Sequence, residues 1–154
     1  MTSETHALDS APRRHWLAVL ARASVPELEQ GLCTLNFVPQ PRYIRAAETG
    51  MVMLRARVGG TGDAFNLGEA SVTRCALRLG DGPLGVGYTL GRNRRKAELI
   101  ALFDALLQDP QHHATLHHTV IAPLAATQAT QRDSISRAAA ASRVEFFTFV
   151  RGAT

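Results

Sequence analysis

Four cationic side chains stand directly before a helical apolar pattern in the middle of the chain. Leu99, Leu102 and Leu106 recur at helical intervals, and this spacing predicts a helix over residues 93–108. Cations in the first turn oppose the helix dipole, each at a cost of a few tenths of a kcal/mol to ~1 kcal/mol. A phosphate bound there would offset that cost, because N–H groups, dipole and guanidinium groups would all face it. The cations are Arg92, Arg94, Arg95 and Lys96, and the three arginines are candidate phosphate ligands.

The same arginines have a second interpretation that the sequence leaves open. They would also form an exposed basic patch, or ion pairs with Asp63, Glu69 or a neighbouring subunit. A glycine loop at residues 59–62 is a further candidate, since successive backbone N–H groups can surround an anion. No Lys-Ser or Lys-Thr follows it, so it is not a Walker loop, and a plain turn that needs glycine φ angles is the alternative. The candidate phosphate-binding residues in this loop are Gly60, Thr61 and Gly62.

Other reactive side chains give weaker signals. His113 and His117 would share one helix face, but no cysteine or HExxH pattern supplies a third ligand, so no metal site is predicted. Cys33 and Cys75 lie among apolar neighbours and are expected to be reduced, buried thiols of a cytoplasmic protein. Gly80, Gly82 and Gly85 match GxGxxG, but they lead into a strand rather than a helix. No catalytic residue is predicted. The histidine cluster, favoured as a polar helix end or loop, is His112, His113, His117 and His118.

The elements around these residues predict an α+β fold with a small antiparallel sheet. Strands are expected at about residues 43–46, 50–58, 69–79, 84–90 and 144–150, where apolar side chains alternate or run together between glycine turns. Alternation also predicts which side of two strands is buried. Those positions are Val52, Leu54, Ala56 and Val58 in one strand, and Leu84, Val86, Tyr88 and Leu90 in the other.

Helices are expected on both sides of the sheet in sequence. Residues 1–9 form a disordered tail, and residues 10–154 form a single domain. An N-terminal helical hairpin follows the tail, and its second helix begins with Ser24 and Glu27 in the spacing of a capping box. Besides the helix after the arginines, an alanine-rich helix is predicted over residues 127–142.

The C-terminal segment is the strongest sign of an interface. Residues 144–150 read VEFFTFV and are apolar on both faces of a strand, which is typical of a strand covered on two sides. The expected subunit-contact residues are Phe146, Phe147 and Phe149.

Bulk properties narrow the function classes. The 154-residue chain has a formal net charge of +4 and is 45% hydrophobic, as expected for a globular protein with anionic partners. No apolar run is long enough to cross a membrane, and the N-terminus lacks a secretory pattern, so a cytoplasmic protein is expected. Aromatic residues make up 6% and are not interleaved with the arginines, which disfavours nucleic-acid binding.

Several long stretches resemble one protein family. These are RAAETG with MVMLRARVGGTG, then FNLGEASVTRCALRLGDGPLGVGYTLGR, and finally SRVEFFTFVRG. Between about residues 14 and 152 the chain is similar to the G subunit of the bacterial carbon–phosphorus lyase core complex, the PhnG family. The resemblance does not include the N-terminal tail or the histidine cluster.

The resemblance implies a subunit of a multi-subunit phosphonate ribosyl-triphosphate transferase that is inactive by itself, and it transfers no catalytic residue to this chain. It implies direct contact with an I subunit, assembly with H and J subunits, and an L subunit as accessory. The assembly would attach methylphosphonate to the ribose C1 of ATP and release adenine, giving ribose 1-methylphosphonate 5-triphosphate. Nucleosidase chemistry is associated with the I subunit, and the J subunit would carry S-adenosylmethionine and an iron–sulfur cluster. No cofactor is expected on this chain, and the alternative is a purely structural assembly subunit with no ligand contact.

Overall fold

The computed structural model describes residues 10–142 as helices that pack around one three-stranded sheet. The predicted tail at residues 1–9 and the predicted strand at residues 144–150 lie outside the described residues. A 3₁₀ turn covers Val58–Gly60 and a π-helical turn covers His117–Ile121. The other elements are α1 (Ser10–Arg22), α2 (Val25–Leu32), β1 (Pro41–Arg57), β2 (Ala64–Leu79), β3 (Leu84–Leu90), α3 (Arg94–Leu107), α4 (Pro110–Leu116) and α5 (Ala122–Ala141).

The sheet is antiparallel with the strand order β1-β2-β3, which confirms the predicted α+β class. Two details of the strand prediction are wrong. The expected strands at 43–46 and 50–58 are one strand, β1, and Glu48 to Gly50 continue it instead of turning the chain. Register shifts on either side of Arg45 absorb the irregular sequence there, as β-bulges do. The second strand also begins at Ala64, earlier than the predicted residue 69.

Helix α3 is the centre of the core. Ile100 and Phe103 are fully buried, and all the residues from Leu99 to Leu107 are buried. The face of β3 that meets this helix carries glycine. A Cβ atom on Gly85 would lie 2.0 Å from the carbonyl oxygen of Ala101, so only a hydrogen atom fits there. Strand β3 and helix α3 therefore touch backbone to backbone.

This close contact overturns the predicted direction of β3. The alternation was correct, but the glycine side is the buried one, and Tyr88 and Leu90 on the other side are 55% and 72% exposed. The prediction for β1 is wrong in another way, because the expected core residues Val52 and Leu54 are exposed and so are Met51 and Met53 on the other face. Apolar periodicity shows that a strand has two different faces, whereas the position of the helix decides which face is covered.

Beyond the end of β3, strands β1 and β2 continue as a two-stranded ribbon. We call this ribbon, residues 50–57 and 64–71 with their connecting turn, the arm. Strand β3 pairs with residues 72–78 of β2, so no third strand borders the arm within residues 10–142. Consecutive side chains point to opposite faces of a strand. Both faces of the arm are apolar and open to solvent, at Met51, Val52, Met53, Leu54, Phe65 and Leu67.

The N-terminal helices form as predicted, and the C-terminal half is more helical than expected. The side chain of Glu27 accepts a hydrogen bond from the Ser24 backbone N–H at 2.7 Å, and Ser24 Oγ accepts one from the Glu27 N–H at 3.4 Å. This capping box begins α2. The alanine-rich helix begins at Ala122, earlier than predicted, and α4 and the π-helical turn precede it directly. Ile121 to Leu124 therefore continue in helical conformation.

Candidate functional site

The start of α3 is the main candidate site. Asn93 caps the helix, and its Oδ1 accepts a hydrogen bond from the Lys96 backbone N–H at 2.9 Å. The side chains of Arg92 and Arg94 are exposed and make no hydrogen bond or ion pair within residues 10–142. Two guanidinium groups and the positive end of a well-formed helix are therefore available to an anion.

Arg95 differs from its two neighbours because it is already paired. Its Nε donates to Glu29 Oε1 on α2 at 3.1 Å, and its Nη1 lies 4.0 Å from Glu98 Oε2. The sequence-based alternative of ion pairs is correct for this arginine, but the partner is Glu29 rather than Asp63 or Glu69. Since both groups are about half exposed, the pair contributes at most ~1 kcal/mol and holds α2 against α3.

Lys96 completes the cationic cluster from a half-buried position. Burial lowers the pKa of its ammonium group, and the negative charge of Glu27 opposes that shift. Glu27 in turn has a lowered pKa, chiefly because the Ser24 hydroxyl donates a hydrogen bond to it. The capping box of α2 thus lies close enough to α3 to influence its charge.

The glycine loop lies at the far end of the arm, away from these arginines. Gly59 and Gly60 have φ values of 58° and 85°, which L side chains rarely adopt, and the Gly62 N–H donates to the Val58 carbonyl at 2.8 Å. A turn therefore explains these glycines. The Gly91 N–H donates to Ser71, and from Ser71 the strand runs about seven residues, roughly 23 Å, to the loop. The structure does not bring Gly60, Thr61 and Gly62 together with Arg92, Arg94 and Arg95.

A buried carboxylate that the sequence prediction overlooked joins three elements. Asp104 on α3 is fully buried and accepts hydrogen bonds from Arg13 Nη2 at 2.7 Å and Trp16 Nε1 at 3.0 Å. It also accepts the Val86 backbone N–H at 2.8 Å. All of its oxygens are occupied by structural donors, so it ties α1 and β3 to α3. An aspartate inside the apolar run LIALFDALL was the available signal, because a carboxylate is seldom buried without partners.

His113 and Cys75 pack against neighbouring residues, whereas His117, His118 and Cys33 are exposed. The ring of His113 lies 5.5 Å from Trp16 and 5.9 Å from His117, centroid to centroid, and its Nδ1 is 2.6 Å from the Leu107 carbonyl oxygen. Within residues 10–142, no three His, Cys, Asp or Glu side chains are placed to hold a metal ion. Cys75 is buried, and burial raises the pKa of its thiol to about 11. Cys33, expected to be buried, is exposed.

A second charged group lies on the exposed side of the sheet. Glu48 Oε1 accepts hydrogen bonds from Arg45 at 2.7 Å and Arg74 at 2.8 Å, and these bonds lower the pKa of the Glu48 carboxyl group. The predicted contact residues Phe146, Phe147 and Phe149 lie outside the described residues. Within the described helices, none is long and apolar enough to cross a bilayer.

An α+β domain with an apolar arm open to solvent, and with two arginines at a helix start that are unpaired among the described residues, has the features of a subunit that acts against another chain. Comparison with known proteins agrees with this class. The family model of the phosphonate metabolism protein PhnG matches residues 11–152, and the chain belongs to this family. A relative from Rhizobium meliloti (strain 1021), named alpha-D-ribose 1-methylphosphonate 5-triphosphate synthase subunit PhnG, is 43% identical over 145 residues. The aligned part covers 92% of this chain and 90% of the relative.

Proposed function

We propose that this chain is a subunit of the cytoplasmic enzyme that transfers methylphosphonate to the ribose C1 of ATP and releases adenine. The observation that carries the proposal is the 43% identity, over 92% of the chain, to a relative whose name states that synthase. The free arginines at the start of α3 are consistent with it, because both substrates carry phosphorus oxyanions.

The proposed role of this chain is to complete a site that a partner provides. Its own described residues offer cations and an apolar arm, which suit anion binding and docking. We assign direct contact to the I subunit, assembly to the H and J subunits, and accessory function to the L subunit. S-adenosylmethionine and the iron–sulfur cluster belong to the J subunit in this proposal, and ATP and methylphosphonate are substrates of the assembly.

Within that site, Arg92 and Arg94 are the proposed contacts to the triphosphate or the phosphonate. Both lie at the positive end of α3, and neither has a competing partner within residues 10–142. Arg95 can contact the same phosphate only if its ion pair with Glu29 breaks, so its contribution to phosphate binding is expected to be smaller. The proposed phosphate contact of the loop at Gly60, Thr61 and Gly62 is a separate one, at the end of the arm.

The test is the double variant Arg92→Ala/Arg94→Ala in the reconstituted complex. Loss of a charge-assisted contact costs about 1.5–3 kcal/mol, so adenine release from ATP plus methylphosphonate is expected to fall at least ~10-fold. The matched control is Arg14→Ala/Arg42→Ala, which removes two exposed arginines elsewhere and is expected to keep full activity.

Assembly is measured in the same samples by co-purification with the I subunit. If the double variant assembles and turns over at the control rate, this chain has no phosphate contact there and the purely structural alternative remains. If the wild-type chain does not co-purify with the I subunit and does not raise its adenine release, the proposed function itself is wrong.

A further inference from the structure

The free edge of β3 is closed along one half and open along the other. Pairing with β2 directs the backbone groups of Leu84, Val86, Tyr88 and Leu90 away from β2. At the first end, side chains bond two of these groups: Arg13 and Gln108 donate to the Leu84 carbonyl, and Asp104 accepts a hydrogen bond from the Val86 N–H. At the other end, the outward N–H and C=O groups of Tyr88 and the N–H of Leu90 have no partner within residues 10–142.

A groove runs along this open half, between the strand and α1. Its volume is about 510 Å³, and it is mostly apolar. Unpaired backbone groups beside apolar side chains are what an added β-strand requires, since the ladder supplies hydrogen bonds and the groove receives side chains. The groove is lined by Ala18, Ala21 and Arg22 of α1, by Lys96 of α3, by Tyr88, Thr89 and Leu90 of β3, and by Val52 and Val72 of the two neighbouring strands.

Helix α1 presents a small apolar face, Ala18 and Ala21, to the groove. Trp16, Val19 and Leu20 are buried in the core, whereas Ala18 and Ala21, one turn apart, are only half-buried and form a second face. The run from Trp16 to Ala21 has no polar residue, and a helix that is apolar on all sides is normally covered on all sides. The small alanine side chains also leave room for a close neighbour.

We propose that residues 144–150 of the same chain dock in this groove as a fourth strand against the open edge of β3, beside α1. The segment has the same length as β3 and is apolar on both faces. Its one charged residue is Glu145, which complements the cations Arg22 and Lys96 that line the groove.

The segment begins three residues after α5 ends at Ala141. Helix α5 packs against α1, where Gln128 Nε2 donates to the Val19 carbonyl at 2.9 Å, and Ile135 lines a cavity with Ala18 and Arg22. Six helical residues at ~1.5 Å and three extended residues at ~3.3 Å allow residue 144 to lie up to roughly 19 Å from Ile135. One face of the added strand would meet α1, and the other would extend the exposed face of Tyr88 and Leu90. This inference concerns the isolated chain and does not rest on the proposed function.

Hydrogen exchange of the purified full chain tests the docking. We expect the Tyr88 and Leu90 amides to exchange at least ~10-fold more slowly in the full chain than in a chain ending at Ser142. Adding the synthetic peptide 143–154 to the shortened chain should restore the slow exchange. Equal rates in the full and shortened chains would overturn the proposal. So would protection that disappears on dilution, because a second copy would then supply the strand.

A full-length variant guards against loss of the whole fold on truncation. Phe147→Pro/Thr148→Pro removes two N–H groups from the segment, and we expect it to speed exchange at Tyr88 and Leu90 as truncation does. Amides of α3 should stay protected, because the core is unchanged. The matched control Gly152→Pro lies beyond the segment and should leave the β3 amides slow. Unaltered β3 exchange in the double-proline chain would also contradict the proposal.

Discussion

The two ends of the sheet use the same strands in opposite ways. At one end, α3 covers β2, and Cys75 and Leu77 are at most 2% exposed. The neighbouring strand β3 has glycine at positions 85 and 87, which allows the helix to approach closely. At the other end, the same strand continues into the arm, where Phe65 and Leu67 are 43% and 63% exposed. Strand pairing alone is therefore not what buries these side chains.

A polar contact marks the boundary between the two ends. Thr73 is fully buried, its hydroxyl donates to the Gly91 carbonyl at 2.7 Å, and Thr49 bonds the same hydroxyl at 3.0 Å. Gly91 is where the chain leaves β3 for α3, with φ of 89°. The arm residues of β2, 64–71, precede Thr73 in the chain, and neither α3 nor β3 covers them. Stability should consequently depend on the covered end, and association on the arm.

The largest expected effect compares two glycines of the sheet. In Gly87→Ala the new Cβ would lie 2.0 Å from the Ala97 carbonyl oxygen, so strand and helix must separate, and we expect a loss of about 3 kcal/mol. Gly50 in the arm has no atom within 4 Å of such a Cβ, and Gly50→Ala should change the unfolding free energy by less than ~1 kcal/mol. Denaturant unfolding of both variants measures the difference. Similar losses in the two would show that the ends are not packed differently.

A smaller effect comes from Cys75 at alkaline pH. Burial raises the pKa of this thiol from 9.0 to about 11, so the folded state keeps the proton that the unfolded state loses. The stabilisation is complete below pH 9 and is lost as the pH rises towards 11, with an upper limit of about 2–3 kcal/mol. Unfolding curves between pH 8 and ~11 should therefore fall more steeply for the wild type than for Cys75→Ala. Parallel curves would place the thiol in a more polar environment than the structure shows.

The smallest effect on stability is expected in the arm. Leu67→Ser removes an exposed side chain and should change the unfolding free energy by less than ~0.5 kcal/mol, whereas Leu77→Ser on the same strand, 1% exposed, should cost several times more. Co-purification with companion subunits should show the opposite order. Per folded molecule, Leu67→Ser should reduce association more than Leu77→Ser does. An arm substitution that leaves association unchanged would show that this surface is not an interface.

Sequence patterns predicted the helices and strands better than they predicted strand pairing and the buried face of each strand. The helix after the arginines and the capping box at Ser24 were correct, because periodicity and capping are local properties. The merged strand β1 was missed because Gly50 suggested a turn, and register shifts around Arg45 are set by the partner strand. The buried face of β3 was misassigned because glycine gives no hydrophobic signal in the sequence. Gly85 and Gly87 are nevertheless on the buried face, because only glycine allows α3 to pack so closely.

The candidate site was predictable only in part. Four cations before a helix were visible in the sequence, but their partners were not: Arg95 pairs with Glu29, which lies 66 residues away in the chain. The separation of the glycine loop from the arginines depends on the length of the arm, which a one-dimensional pattern does not give. Asp104 was overlooked because its partners come from α1 and β3, and only the folded chain brings them together.

The open arm has a consequence for how the cell must handle this polypeptide. The arm exposes methionine, leucine and phenylalanine to water, and its strand edges are unpaired in the described part of the chain, so it favours non-native sheet growth while the chain is newly made. We expect unassembled copies to be retained by chaperones or degraded. The amount of this protein that accumulates would then depend on simultaneous synthesis of the other subunits of the complex.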